Sequence, residues 1–383
     1  MATHWCSSRR LWRITVLLAT LGAALLLAAG CGSDGGSSGG ESAKAGGGVP
    51  EGVAQAESMV KKATARPTSI GLTQPIDKEV PTGKKVAFIS CGVEACTVQG
   101  KIIAQGAKDL GWTSSMIATD GSPEKVQQAF EAAMRNGADA VILNGVSRAL
   151  VSKQIADAKK KGVAFVTCCS TESVGDGILY NTSTPEQNDE IAKDLAAQVV
   201  ADTKGKADAL YVNITAFTIL ENLGTLFERS YKSYCPTCGI DSIDMPLTAL
   251  GKDAPDRIVA YLRSHPRVNY VVLSVGDALG SGLPAALQAA GLSDKVKIVG
   301  QGGGTQIFQY ISGGQVQSIV PFDYYAIDYL MLDALARHFA GVPIPQTAPP
   351  RWLLSKSGLP STSGLFPVVE NYRAQFLKLW GKA

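Results

Sequence analysis

The pattern of apolar and polar positions changes near residue 85. Beyond it, short apolar runs of strand length alternate with stretches whose apolar residues recur at helical spacing. The first run, Lys85-Val86-Ala87-Phe88-Ile89-Ser90, is almost continuously apolar, the texture of a parallel strand covered on both faces. A helix follows to Leu110, where Gly111 stops it, and a second strand is expected over 115–119. Ser122, Pro123 and Glu124 supply an N-cap, a first-turn proline and a first-turn acid to a helix whose Val126, Ala129, Phe130 and Ala133 share one face. Asn136-Gly137 ends that helix ahead of a third strand over 140–143. Ile155 and Ala158 mark another helix, closed by Lys159-Lys160-Lys161 at the negative end of its dipole and by Gly162; a fourth strand follows over 163–167.

The same grammar then repeats, with strands over 207–212, 240–244, 270–274, 296–299 and 316–320 and helices that include 255–263 and 284–290. Regular alternation of this kind builds parallel sheets with right-handed crossovers, and two blocks of it give an α/β fold of two doubly wound parallel-sheet lobes. At 383 residues the chain is long enough for both. Ligands in such sheets bind in the crevice beyond the carboxyl ends of the strands. Function is therefore to be sought in the short segments after each strand. Ahead of residue 85, 51–65 reads as a short helix with Val53, Ala56 and Val60 on one face, and 66–84, rich in Pro and Thr, as an extended connector.

The first thirty residues have a different character. Arg9, Arg10 and Arg13 precede an uncharged apolar run over 14–29, shorter than a comfortable membrane span and ending in small residues, as in a signal peptide. Leu27-Ala28-Ala29-Gly30-Cys31 resembles the lipobox of bacterial lipoproteins, which implies lipidation of Cys31. Leu more often stands three places before that cysteine, where this chain has Ala28. The Gly/Ser/Ala-rich stretch over 32–48 suits a flexible tether to an anchor. Ser8-Arg9-Arg10 also resembles a twin-arginine export signal, although paired arginines are common in ordinary signal peptides. With the three signal-peptide arginines set aside, 33 basic residues balance 33 acidic ones. No long-range field remains to attract nucleic acid, and a nucleic-acid partner is not expected.

By order and spacing, four stretches resemble the type I periplasmic binding protein family, in its ribose-binding-like branch. They are 85–90, Asn136-Gly137-Ala138-Asp139-Ala140-Val141-Ile142-Leu143-Asn144, Ser264-His265-Pro266-Arg267-Val268-Asn269-Tyr270-Val271-Val272, and Lys297-Ile298-Val299-Gly300-Gln301-Gly302-Gly303. The resemblance covers residues 84–350. After the signal peptide (1–30) and the lipidated cysteine with tether and connector (31–83) read above, it implies a first lobe (84–184 plus 321–347), a second lobe (185–320 plus 348–383) and a hinge on which the lobes close around a ligand. The segment over 348–380 is expected on the second lobe and hinge. The resemblance also implies an extracytoplasmic protein, with a small-molecule solute and ABC permease and ATPase subunits as partners and no cofactor; the lipobox-like stretch implies that it is held at the cell membrane through Cys31.

The departures from the family bear on the ligand. Sugar-binding members usually carry an Asp-Arg pair after the fourth strand, where this chain has Cys168-Cys169-Ser170. Elsewhere a family Arg is replaced by Glu221-Asn222, a family Asn-Asp by Val275-Gly276-Asp277, and a family Asp by Gln301 with three glycines. The Gln that crosses back to the first lobe is replaced by Pro321-Phe322-Asp323-Tyr324-Tyr325. Groups that grip hydroxyls bidentately are thinned throughout, so a ligand less hydroxylated than a pentose is expected. Its candidate contacts are Glu94, Cys168, Cys169, Ser170, Phe217, Glu221, Asn222, Asp277, Gln301, Phe322, Asp323 and Tyr324.

Six cysteines outside Cys6 and Cys31 form three close pairs, Cys91 with Cys96, Cys168 with Cys169 and Cys235 with Cys238. Disulfides suit an exported chain, but spacing alone leaves their connectivity open. Adjacent Cα atoms lie about 3.8 Å apart, below the usual disulfide range of about 4.4 Å upward, so a Cys168–Cys169 bridge would strain the backbone. Such strain persists mainly at binding sites. The pair reads either as a rigid sulfur plate facing a ligand or as two cysteines that are reduced or bridged elsewhere. A Cys91–Cys96 bridge would staple the loop that holds Glu94. Cys235-Pro236-Thr237-Cys238 follows a helix rather than opening one after a strand, which suits a static turn staple over thioredoxin-like chemistry.

Enzymatic readings lack parts. Beyond the signal peptide only His265 and His338 remain; there is no Gly-x-Ser-x-Gly elbow, and no ligand spacing suits a metal. The rivals to solute capture for an importer are a sensory receptor of the same fold and, disfavoured by these missing residues, an exported enzyme or redox protein.

Overall fold

The structure, a computed structural model, describes residues 50–90 and 94–382. The signal peptide, Cys31 and Cys91 lie outside the described residues, as does the side chain of Glu94. In chain order the first half comprises α1 (Glu51–Ala63), β1 (Lys85–Ile89), α2 (Glu94–Asp109), β2 (Thr113–Ile117), α3 (Pro123–Arg135), β3 (Ala140–Leu143), α4 (Arg148–Lys160), β4 (Ala164–Cys168) and β5 (Tyr180–Thr182). The second half comprises α5 (Pro185–Thr203), β6 (Asp208–Ile214), α6 (Thr218–Tyr234), β7 (Gly239–Met245), α7 (Ala254–Ser264), β8 (Tyr270–Leu273), α8 (Gly276–Gly280), α9 (Leu283–Ala289), β9 (Lys297–Gln301), α10 (Thr305–Ser312), β10 (Ser318–Val320), α11 (Tyr324–Ala340), β11 (Leu354–Ser355) and α12 (Tyr372–Leu379).

Two sheets result. The first runs β2-β1-β3-β4-β5 with every pair parallel; the second runs β7-β6-β8-β9-β10-β11, antiparallel only between β10 and β11. Alternation along the strands splits each core in two. Val86 and Phe88 pack on one face of β1, Ala87 and Ile89 on the other. Leu210 and Val212 oppose Ala209 and Tyr211 on β6 in the same way. Burying a side chain such as Phe88 or Val212 contributes about 1.5–3 kcal/mol, which is why strands with no polar face settle in the middle of a sheet covered by helices.

The second strand begins two residues earlier than the hydrophobic pattern suggests. Gly111 takes a left-handed φ of 75°, and the amide of Thr113 bonds the Lys84 carbonyl at 2.9 Å, so the chain enters the sheet at once. The alanine- and valine-rich α5, which opens the second lobe, is capped by a reciprocal Thr184–Gln187 box with Pro185 in its first turn.

The terminal segments depart from their expected places. The connector over 66–84 is folded onto the first lobe: Ile70, Leu72, Ile76 and Val80 are buried in its core, and the Pro81 carbonyl accepts a 2.7 Å bond from Trp112 Nε1. Preceding it, α1 packs on the second lobe through Val53, Ala56 and Ala63. The C-terminal segment divides. β11 joins the second sheet, but α12 packs on α11 in the first lobe, where Phe376 and Trp380 lie against the Tyr329 ring, with centroids 5.3 and 5.6 Å away. Trp380 Nε1 also donates to Asp333, which pairs with Arg337 in a buried bridge of 2.6 Å. A buried ion pair needs every lone pair met, and the last helix supplies that donor only by crossing to the first lobe.

The chain thus passes between lobes after α1, between β5 and α5, between β10 and α11, between α11 and β11, and between Val368 and Val369, which sit in different cores. Arg66 fastens the first and last of these passages together. It donates to the carbonyls of Val368 and Pro367, both at 3.0 Å, and lies over the Trp352 ring.

Candidate functional site

Both sheets are doubly wound, so the strand order reverses between β1 and β3 in one lobe and between β6 and β8 in the other. In open sheets of this kind ligands bind in the crevice beyond the strand ends at such reversals. Two contacts bring the lobes together at that level. The Phe217 ring, at the start of α6, lies against Gly145 just after β3, where a Cβ would meet it at 3.6 Å. Thr171 Oγ1 lies 3.4 Å from Thr218 Oγ1.

The first-lobe wall is built at the end of β4. Cys168 is fully buried and pairs in register with Thr182 of β5; its carbonyl accepts from the Gly145 amide at 2.9 Å. Cys169 turns the chain with φ 60°, in the left-handed region that a non-glycine residue rarely adopts. Its amide donates to the Thr182 carbonyl at 2.9 Å. The two sulfurs are joined, with Cα atoms 3.8 Å apart. Asn181 Nδ2 holds the next turn by donating to the carbonyls of Ser170 and Glu172 at 3.1 and 2.6 Å. Ser170 itself is 4% exposed, and its hydroxyl has no hydrogen-bond partner among the described residues.

The second-lobe wall centres on Gly302, whose φ of 85° demands glycine. A Cβ there would lie 2.9 Å from Asp277 Oδ1 and 3.2 Å from Phe322 Cδ2, so the backbone passes directly beneath a carboxylate and an aromatic face. Gln301 immediately before it is 2% exposed, and its Oε1 has no partner among the described residues. The rings of Phe322 and Tyr324 are 5.9 Å apart, and Tyr324 is buried. Burial raises the Tyr324 phenol pKa well above the usual tyrosine value, and the nearby Asp277 and Asp328 raise it further. Asp328 is fully buried, takes 3.0 Å from Gln99 Nε2, and is raised well above the carboxylate range by that burial.

The structure therefore places Cys168, Cys169 and Ser170 after β4 of the first lobe and Asp277, Gln301 and Phe322 around Gly302 at the second, with Phe217 of the second lobe against Gly145 of the first, while Tyr324 is buried in the first-lobe core. Three candidates sit differently. Asp323 is the N-cap of α11, accepting the Ala326 amide at 3.2 Å, only 2% exposed and pushed up to about 7 by burial. It caps α11 where the chain crosses between lobes, because a turn leading into α11 needs an acceptor at that position. Glu221 is exposed and lines a separate groove of about 360 Å³ between α6 and β7, beside Asn213, Asp241 and Asp244. Asn222 accepts 3.3 Å from Asn188 of α5 and is held within the lobe. One residue with the same buried, unpartnered character that sequence reading did not single out is Asn144, directly after β3. It is 3% exposed, and neither end of its amide has a partner among the described residues. Its place after a strand was the available signal.

The remaining cysteines lie away from this crevice. Cys235 and Cys238 are joined in a buried turn after α6, each sulfur 3.4 Å from the Gly205 carbonyl. Cys96 is disulfide-bonded. No group of three or more His, Cys, Asp or Glu among the described residues could hold a metal, and no helix among them is long and apolar enough to cross a membrane.

No curated protein matches the chain in sequence. Solved structures match in fold. A 5-methylthioribose transporter solute-binding protein from Thermotoga lettingae has TM-score 0.66 and 20% identity, over 81% of this chain and 100% of that one. An ABC sugar transporter subunit from Rhodobacter sphaeroides has TM-score 0.63 and 19% identity, over 72% and 99%. The fructose-binding periplasmic domain of a hybrid two-component system has TM-score 0.61 and 15% identity, over 72% and 91%. The periplasmic binding protein domain model matches residues 96–342, the α/β portion that carries both walls of the crevice. With that model matched over more than half of its length and two parallel-dominated lobes in the type I arrangement, this chain belongs to the periplasmic binding protein family.

Proposed function

We propose that this protein is the solute-binding lipoprotein of an ABC importer, anchored outside the cell membrane through a lipid on Cys31. In this reading it captures, between its lobes, a small organic solute less hydroxylated than a pentose. The observation that carries the reading is the set of buried polar atoms at strand ends, on Asn144, Ser170 and Gln301, that have no partner among the described residues and are interleaved with apolar walls. Leaving such groups unpaired costs about 1–3 kcal/mol each, so a guest that bonds them gains affinity and specificity together. The walls themselves are sulfur and ring: the Cys168–Cys169 pair, Phe217 and Phe322. A sugar with hydroxyls all round would press some of them unpaired against these surfaces. A solute with one polar edge and one apolar part fits better. 5-Methylthioribose, with a thioether where ribose has a hydroxyl, is the first compound to try.

Calorimetry and thermal shift with 5-methylthioribose, D-ribose, D-glucose and small aromatic solutes test the reading. Stabilisation by a solute with an apolar part, and little or none by the unmodified sugars, is the expected result. A tight and selective ribose or glucose complex would overturn the ligand class. Mass analysis of the mature N-terminus, with Cys31→Ala as control, tests the anchor. The second reading, a sensory receptor of the same fold, has a structural precedent in the two-component domain above; an ATPase and a permease encoded beside this gene would favour transport, and a kinase would favour sensing.

A further inference from the structure

We propose that the Cys168–Cys169 bond is a redox-responsive lock on the first-lobe wall of the crevice: oxidised, it holds the strand-end turn that aims Ser170 and Gly145 inward, and reduction releases that turn. The inference rests on the crevice being the solute site, and it adds a regulatory input to that site.

Three observations carry it. The backbone of the pair is the junction of the first-lobe wall, because the Cys168 carbonyl holds the Gly145 amide and the Cys169 amide holds the Thr182 carbonyl, each at 2.9 Å. Gly145 is the residue that Phe217 of the second lobe packs against, so a shift in the turn reaches the contact between lobes. Cys169 has a left-handed φ of 60° without being glycine, asparagine or aspartate, and only the surrounding constraint keeps it there. The Ser170 hydroxyl, buried with no partner among the described residues, follows in the next position and depends on that backbone for its direction.

The pair is also the more reducible of the two bridges whose cysteines are both described. Its Cα separation of 3.8 Å falls below the usual range, and Cys169 is partly exposed. Cys235 and Cys238, by contrast, are 5% and 4% exposed with a Cα separation of 5.4 Å. The reductant is a small dithiol. Its thiolate attacks one sulfur and expels the neighbouring cysteine as a thiolate, which takes up a proton. Its second sulfur then displaces the other cysteine and closes the reductant's own disulfide. One S–S bond breaks and one forms, and two electrons and two protons end on Cys168 and Cys169 as thiols.

The test treats the full chain, without solute, with graded dithiothreitol, followed by iodoacetamide labelling with peptide mapping and by hydrogen exchange. Label is expected on Cys168 and Cys169 at a dithiothreitol concentration at least tenfold below that needed for Cys235 and Cys238. At that concentration the amides of Gly145 and Cys169 should exchange at least tenfold faster, with β6 and β8 unchanged. The double variant Cys168→Ser/Cys169→Ser should show the same fast exchange without reductant; if it fails to fold, the wild-type arm still decides. Simultaneous or reversed labelling, or unchanged exchange after reduction, overturns the proposal. None of these readouts uses a solute, so a failed solute screen sinks the solute reading separately.

Discussion

Arg351 donates through Nε to the carboxylate of Asp194, tying the segment that passes between α11 and β11 to helix α5 of the second lobe. Asp194 is fully buried while Arg351 is partly exposed, so the pair anchors the hinge from inside. Burial raises the Asp194 pKa to about 6, against the pull of Arg351. A carboxyl whose folded pKa lies above its unfolded value of about 3.9 stabilises the fold in its protonated form. That contribution is full below about pH 4 and is lost as the pH rises through about 6.

Removing the cation makes the ionised carboxylate harder to keep buried. Arg351→Met is expected to cost about 3 kcal/mol at pH 8, and clearly less at pH 5, where Asp194 takes up its proton. Urea unfolding at the two pH values checks this. An equal loss at both would mean that Asp194 does not depend on Arg351 for its charge.

Asp323 presents a related case with a different partner set. Burial pushes it up to about 7, while the Ala326 amide it caps works the other way. Asp323→Asn keeps an acceptor for the cap but cannot ionise, so melting temperature should vary less between pH 5 and 8 than in the parent. Asp323→Ala should instead lose about 1 kcal/mol across that range, the usual worth of an N-cap. Matching pH profiles for the parent and Asp323→Asn would remove the titration from the hinge.

Asn144→Ala and Gln301→Ala separate binding from folding. Each removes buried polar atoms that have no partner among the described residues, so stability should stay level or rise slightly. Affinity for the solute found by screening should fall about tenfold or more, the equivalent of one lost hydrogen bond to a buried group. Lost stability with unchanged affinity would place both residues in the scaffold.

At Gly302 the constraint is steric. Gly302→Ala must hold φ 85° and place a Cβ 2.9 Å from Asp277 Oδ1 and 3.2 Å from the Phe322 ring. A cost of about 1–2 kcal/mol is expected, together with weaker solute binding as the carboxylate and ring are pushed apart. Thermal melts and calorimetry on the same variant test both parts; a variant as stable as the parent would show that the loop can re-route.

Arg66 reports on the terminal straps. Arg66→Ala removes its bonds to the Val368 and Pro367 carbonyls and its place over Trp352. About 1–3 kcal/mol should be lost, and limited proteolysis should begin nearer the C-terminus. Unchanged cleavage would mean that α12 is held without Arg66, by Phe376, Trp380 and its Arg373–Asp109 and Gln375 bonds.

Much of the architecture was legible in the chain. Runs such as 85–90 and 140–143 have no polar face, and only a parallel strand between helix layers buries both sides of such a run, so two α/β lobes followed from local pattern. The substitution of Cys168-Cys169-Ser170 for a charged pair could likewise be read in line, because it lies immediately after a strand. Other features depend on distance in space rather than in sequence. Nothing local marks Asp323 as a cap at a hinge, assigns Glu221 to a flank groove, or sends α12 to the first lobe to complete Asp333 and stack on Tyr329. Periodicity reports which face of an element is apolar; it does not report which distant surface will cover that face, and that choice is made only when all the elements compete for burial and hydrogen bonds at once.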